Sequence, residues 1–406
     1  MELYIFGFRP DSQPPAASQE STVATPVLQA KAIKLLWSSW CDAVIVHQDV
    51  AGSWSISYRG TSLTATQTDH LCQSAKIKDS LSNDVQTKVH FFGSAMHHGL
   101  GGYAISSTDS SESVDQITLF ATDSEVEQGI PEVQSYPMSG TRKVTNIRVL
   151  SDETLLLSIQ KCLTDEDKIA SIPNIKQLRD RLSSGTSFPD PTHPPRASFI
   201  PTRWATNATT VTILDEEERV WTSTRDPRYP KCLGRPYEGT SDFELVPYLS
   251  ETRIAKIASG GYMSAAVSNE GELFVWGQAC PGSEGEPSVL NGNMESNQST
   301  TGIYAESEQE EFVRCLTVKI EVEEAIVCDV AIGHGHILVA AELHGSVGEE
   351  KKVVFAAGDN SRGQLGLASV GEFVEDFVEV ADLKGKRIAQ LAAAGWSSFV
   401  VTADDI

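Results

Sequence analysis

The chain is short of positive charge, has no paired-cysteine motif and contains no long apolar run. Its 32 lysines and arginines stand against 55 aspartates and glutamates, for a net charge of −23. Phosphate-neutralising surfaces are built from lysine and arginine, so this balance argues against direct nucleic-acid binding and for a solvated acidic surface. The seven cysteines (Cys41, Cys72, Cys162, Cys232, Cys280, Cys315 and Cys328) are scattered, with no C-x-x-C. That pattern fits reduced thiols in an intracellular protein and excludes a disulfide framework or a zinc knuckle. No stretch reaches the roughly 18 apolar residues of a membrane helix, and the first residues lack the charged-then-apolar layout of a secretory signal. The sequons at Asn207 and Asn297 are then without consequence, and Lys384-Gly-Lys386-Arg387 is too short for a convincing nuclear signal. The expectation is a cytoplasmic or nuclear monomer that does not touch membranes.

Signatures of catalysis are missing as well. There is no G-x-x-x-x-G-K-[ST] phosphate loop and no G-x-S-x-G elbow, and Gly99-Leu-Gly101-Gly102 lacks the strand–helix context of a dinucleotide site. His97-His98 and His334-x-His336 are the close histidine pairs, and neither has a cysteine or carboxylate at a metal-ligand spacing. Asp215-Glu-Glu-Glu218 falls at a strand-to-strand turn, where a solvated charge cluster is the default. No cofactor, no metal and no enzymatic activity are expected.

What is present is a repeat: a strand of small and apolar residues, a polar turn, and a second strand ending in an aromatic residue and often glycine. Its clearest copy runs from Ile257-Ala-Ser-Gly260-Gly261-Tyr262 through the turn at Asn269-Glu-Gly271 to Leu273-Phe-Val-Trp276-Gly277. Others run from Val327 through Gly333-His-Gly-His336 to Phe355-Ala-Ala-Gly358, from Trp204 to Thr222, and from Leu35 to Tyr58. Two fainter copies pair 89–105 with 116–120 and 144–149 with 154–157. The last copy is split. Leu391-Ala-Ala-Ala-Gly395-Trp396-Ser-Ser-Phe-Val-Val401 is a first strand, and its second strand is Glu2-Leu-Tyr-Ile-Phe-Gly7 at the other end of the chain. Alternating apolar residues with glycine-bounded ends read as strands. Seven strand pairs, one of them shared between the termini, predict an all-β fold, a seven-bladed β-propeller. Residues 1–406 are read as one domain closed by pairing 2–7 with 388–402. Between the copies, 279–311 reads as a disordered acidic insertion, 185–201 as a proline-rich connector and 9–30 as a polar loop. Asn174 is placed to cap a short helix with Ile175, Leu178 and Leu182 on one face and Gly185 past its end.

The repeat resembles that of the regulator-of-chromosome-condensation family, whose signature strand ends in small residues, Gly, two variable positions and His. Gly260 and Gly261 match it, with Met263 at the His position; Gly333 and His336 match in the next copy; in the last, Ala394 and Ser397 replace Gly and His beside Gly395. The family's second signature, a Trp-Gly strand end followed by Asn-x-x-Gly-Gln-Leu-Gly, appears as Trp276-Gly277 and as Gly358-Asp-Asn360-Ser-Arg-Gly363-Gln364-Leu365-Gly366. The resemblance is specific over 200–402 and 2–8, faint over 60–200, and most like the small members of the alpha-tubulin suppressor type. It implies a propeller whose signature residues do structural work: glycines admit close backbones, Leu365 tucks between blades and Gln364 bonds backbone groups. Two functions follow. One is a non-catalytic scaffold that holds a protein partner, a basic one given the charge, through loops on one propeller face. The alternative is guanine-nucleotide exchange on a Ran-like small GTPase. The basic N-terminal tail of the founding member has no counterpart here, because Met1 leads straight into a strand, and this favours the scaffold.

Overall fold

The computed structural model describes residues 1–7, 24–80, 87–96, 98–107, 115–138, 142–161, 164–185, 188, 199–283, 285–291, 301–305, 312–344, 350–367 and 371–403. His97, Cys162, the second sequon, Glu306–Glu311, residues 9–23 and most of the proline-rich connector lie outside them. Seven antiparallel sheets follow one another along the chain, and the fold is a seven-bladed β-propeller. Among the described residues no helix is long and apolar enough to cross a membrane.

The chain divides into two compact units, Ala30–Pro201 and Met1–Gln29 with Thr202–Ile406. The first unit holds blade 1 (Ala32–Ser38, Asp42–Gln48, Trp54–Gly60), blade 2 (Thr87–Ser94, Gly99–Ser107, Asp115–Phe120, Val133–Met138) and blade 3 (Arg142–Val149, Leu155–Lys161, Thr164–Ile172). The other holds blade 4 (Pro201–Thr206, Thr210–Asp215, Val220–Thr224, Glu244–Leu245), blade 5 (Ile254–Gly260, Met263–Ser268, Leu273–Gly277, Val313–Ile320, Gly302–Ala305, Glu323–Glu324) and blade 6 (Ile326–Ile332, His336–His344, Glu350–Asp359, Phe373–Glu379). Its blade 7 has the order Leu28–Gln29, Glu2–Gly7, Ser397–Ala403, Arg387–Ala394. The split repeat is thus joined: Glu2 pairs Thr402 and Gly7 pairs Ser397 in unbroken register.

Within each unit, neighbouring blades pack face to face. Val267, Leu273 and Val275 of blade 5 pack with Val330, Ile337 and Phe355 of blade 6. Phe92, Ile117 and Leu119 of blade 2 pack with Ile147, Leu155 and Leu157 of blade 3. Such burial, at about 25 cal/mol per Å² of apolar area, is what holds neighbouring blades together. Helix Ile175–Ser184 forms as its sequence predicts: the Asn174 side chain accepts from Gln177 N–H, Gly185 closes it in the left-handed conformation, and Leu178 is fully buried.

The segment 279–311 is built into the fold more than its composition suggests. Helix Ser288–Asn291 and strand Gly302–Ala305 lie within it, and Val289, Leu290 and Ile303 join the core of blades 5 and 6. The acidic and polar residues flanking these short apolar pairs mask them. The cysteines among the described residues, Cys41, Cys72, Cys232, Cys280, Cys315 and Cys328, are all free thiols.

Candidate binding site

In the unit of blades 1–3, five chain segments surround a cleft of about 640 Å³. They are the exit of blade 1 (Thr61, Ser62), the first turn of blade 2 (Ser94 to Gly101), its outer link (Phe120 to Ile130), the first turn of blade 3 (Val149 to Glu153) and the start of the helix at Asn174. Each segment is fixed by side chains bonding backbone, as buried polar groups require. Asp42, 3% exposed, accepts from Tyr58 OH and Ser62 OγH, from Thr61 and Ser62 N–H (3.2 and 3.1 Å), and from Leu100 N–H (2.9 Å), so one carboxylate ties blade 1 to blade 2. Thr64 and Gln67 form a capping box at the start of helix Ala65–Gln73. The buried Gln67 amide then donates to Ala121 O (2.7 Å) and Glu132 O (3.0 Å). A second capping box, Thr122 with Glu125, opens helix Asp123–Glu127. Glu125 also takes the buried guanidinium of Arg179, which reaches the Phe120 carbonyl as well (3.3 Å). Burial raises the Glu125 pKa, but the hydrogen bonds from Arg179 and Thr122 and the Arg179 charge together outweigh it, and the net shift is down.

Within this frame the floor is apolar (Leu100, Phe120, Ile130, Val149, Ile175) and the rim carries Asp123, Lys176 and the His98–Glu153 pair at 3.3 Å. The arrangement suits a side chain or short segment of a partner, gripped by mixed charges over an apolar surface. Among the described residues there is no group of three or more His, Cys, Asp or Glu side chains that could hold a metal. The sequence reading did not find this cleft. Its signals were the capping boxes Thr64-x-x-Gln67 and Thr122-x-x-Glu125 in stretches otherwise polar.

The repeat-motif residues lie in the other unit and form its blade contacts. Turns of successive blades meet backbone to backbone: Ala208 N–H donates to Gly261 O (2.8 Å), and His334 N–H to Gly395 O (2.7 Å). Gly260, Gly277, Gly358, Gly363 and Gly366 sit at comparable turns and strand ends. At Gly333 a Cβ would run into the His336 ring, so glycine is needed there for space. Trp276, 1% exposed, donates from Nε1 to Cys232 O (3.2 Å). Asn360 accepts from Leu365 N–H (3.2 Å), Gln364 accepts from Arg362 N–H (2.8 Å), and Leu365 is fully buried beside Tyr4 and Phe6. Asp215, expected in a solvated cluster, is 1% exposed. It accepts from Glu217 and Arg219 N–H, from Arg219 Nε and from Trp221 Nε1, and so organises its own hairpin.

His336 gives a pH prediction. It is fully buried, bonded through Nε2 to Ser398 Oγ (2.9 Å), and burial pushes its pKa down to about 4. With an unfolded value near 6.5, the unfolded chain takes up the proton first. The His336 contribution is therefore complete above pH 6.5 and lost as pH falls toward 4, about 3 kcal/mol in all. Urea unfolding at stepped pH should show this fall, and His336→Asn should shrink it. Glu2 adds to it at lower pH: hydrogen bonds from Tyr4 and Lys386 lower its pKa to about 2, so its contribution disappears as pH falls through that value.

No family model matches the chain. Solved structures do match it. One is the crystal structure of Prp20p from Saccharomyces cerevisiae, described with its binding to Gsp1p and histones. It aligns at a TM-score of 0.58 and 14% identity, over 100% of this chain and 92% of that one. Another is yeast RCC1 (Prp20) bound to Kap60, at 0.53 and 12%, over 100% and 89%. The likeness concerns the fold: this chain is a seven-bladed propeller like those of the two structures. At these identities the likeness reaches no further than the fold.

Proposed function

We propose that this protein is a non-catalytic scaffold that holds a protein partner in the cleft of blades 1–3. The observation that carries this reading is the construction of the cleft. Three blades contribute five segments; Asp42, Gln67 and the Glu125–Arg179 pair brace them, and their exposed groups form a mixed-charge rim over an apolar floor. Rigid scaffolds that present loops in this way are common binding platforms. The net charge of −23 favours a basic partner and steers its approach. The likeness to a propeller that binds Gsp1p and histones supports a protein as the ligand and keeps a small GTPase as the competing candidate.

A photo-crosslinking residue placed at Lys176 is expected to trap the partner in cells. The same residue at Val50, 95% exposed at the tip of a blade 1 hairpin, is expected to trap nothing. Equal yields from both positions would refute the cleft as the binding site.

A further inference from the structure

Blades 4–6 present a second surface, remote in character from the cleft and independent of it. It is made by the hairpin 215–219 of blade 4, the link 246–253, the hairpin 268–272 of blade 5 and the link 320–326. These segments abut through the backbone: Ile254 N–H donates to Glu218 O (3.0 Å), Asn269 N–H to Arg253 O (2.9 Å) and Val327 N–H to Gly271 O (3.0 Å). Three apolar side chains are exposed on them, Val322 at 66%, Ile326 at 48% and Tyr248 at 37%.

Val322 is the informative one. Ile320 pairs with Glu323, so Glu321 and Val322 form a two-residue hairpin turn, with φ of 52° and 70°. A turn with both φ positive favours Asn or Gly, and a β-branched residue there is strained. Val322 therefore works against the fold locally while pointing its methyl groups at solvent. The surrounding charge identifies what would cover it. Glu216, Glu251, Glu270, Glu272, Glu323 and Glu324 are exposed and carry no side-chain pairing among the described residues. Of the nearby cations, Arg219 is engaged with Asp215 and Glu217, Arg253 with Glu218 and Lys351 with Glu321, while Lys319, opposite Glu324, lies over the Tyr304 ring (5.9 Å).

We propose that this surface docks a basic polypeptide segment of a partner, in which lysines or arginines flank an apolar residue that packs on Val322 and Ile326. The carboxylates would repel nucleic acid and anionic lipid, which leaves a cationic peptide as the complementary chemistry. Nothing in it depends on what the cleft of blades 1–3 binds.

The test uses the full chain and a short fluorescein-labelled peptide of lysines and arginines with interspersed leucines, read by anisotropy at physiological ionic strength. The double variant Glu270→Lys/Glu323→Lys should weaken binding about tenfold or more. Val322→Asn should weaken it several-fold while raising the melting temperature, because Asn relieves the turn. Replacing the leucines of the peptide by serine should weaken binding to the unaltered chain, and Asp49→Lys, an exposed change at a blade 1 hairpin outside both surfaces, should leave it alone. The proposal is overturned if Asp49→Lys costs as much as the double variant, if the serine peptide binds equally well, or if Val322→Asn lowers the melting temperature.

Discussion

Deleting residues 1–8 is expected to remove most of the stability of the protein. The strand Glu2–Gly7 is the central partner of Ser397–Ala403, paired along six residues. It buries Leu3, Tyr4, Ile5 and Phe6, each at most 8% exposed. At about 1.5–3 kcal/mol for each such side chain, burial contributes roughly 6–12 kcal/mol. Folded domains have about 5–15 kcal/mol in total. The truncated chain should therefore lose its cooperative urea transition or show it at far lower denaturant, and a synthetic peptide of residues 1–8 added in trans should recover part of it. An unchanged transition would mean that blade 7 does not need its N-terminal strand.

The second large effect is expected at Asp42. Replacing it by alanine takes the shared carboxylate acceptor from Tyr58 OH, Ser62 N–H and Leu100 N–H, leaving Ser62 N–H with Tyr58 OH (3.0 Å) and Leu100 N–H with the longer bond to Ser62 Oγ (3.3 Å). Hydrogen bonds to a charged group contribute about 1.5–3 kcal/mol each, so losing several of them at once is expected to cost about 4 kcal/mol. Asp42→Asn should fall between the two, at about 2 kcal/mol, since it keeps one acceptor oxygen but turns an amide toward the donors on the other side. Amide hydrogen exchange adds a local readout: Leu100 and Ser62 should lose protection in both variants before distant strands do. If Asp42→Ala unfolds at the same denaturant concentration as the unaltered chain, the carboxylate does not join blades 1 and 2 as described.

The architecture was legible wherever the repeat kept its glycines. Gly260-Gly261 and Trp276-Gly277 stand side by side in mid-chain, so the halves at 391–401 and 2–7 could be recognised as one unit, and the structure pairs them residue for residue. Blades 2 and 3 were faint for a physical reason. Blade 3 has no glycine from Arg142 to Lys161, and blade 2 has Leu119-Phe120-Ala121 where the clearest copy has a Trp-Gly strand end; a register shift does not set them apart, because the clearest copy carries one at Ile254/Lys256. Helix Ala65–Gln73 was missed because it buries only Gln67 and Leu71, too few residues for a visible helical period. Asp215 was misread for the opposite reason: its three glutamate neighbours suggested solvent, whereas the arginine and tryptophan that bury it follow four and six positions later.

The cleft was invisible at the sequence level because its walls come from segments up to about a hundred residues apart, and polar lining residues have no period. The exposed surface on blades 4–6 was half visible. The run Glu216–Glu218 announced the charge, but only the backbone shows that Val322 occupies a position better suited to glycine.

Exchange of guanine nucleotides and passive holding of a partner differ most clearly in turnover. The decisive measurement is the release of labelled guanosine diphosphate from a panel of small GTPases, with this protein present at far below their concentration. The expected result is release at the intrinsic rate for every GTPase, with any effect appearing only when the two proteins are near equal concentration. Acceleration in which each molecule of this protein empties many GTPase molecules would contradict the non-catalytic reading and make the protein an exchange factor.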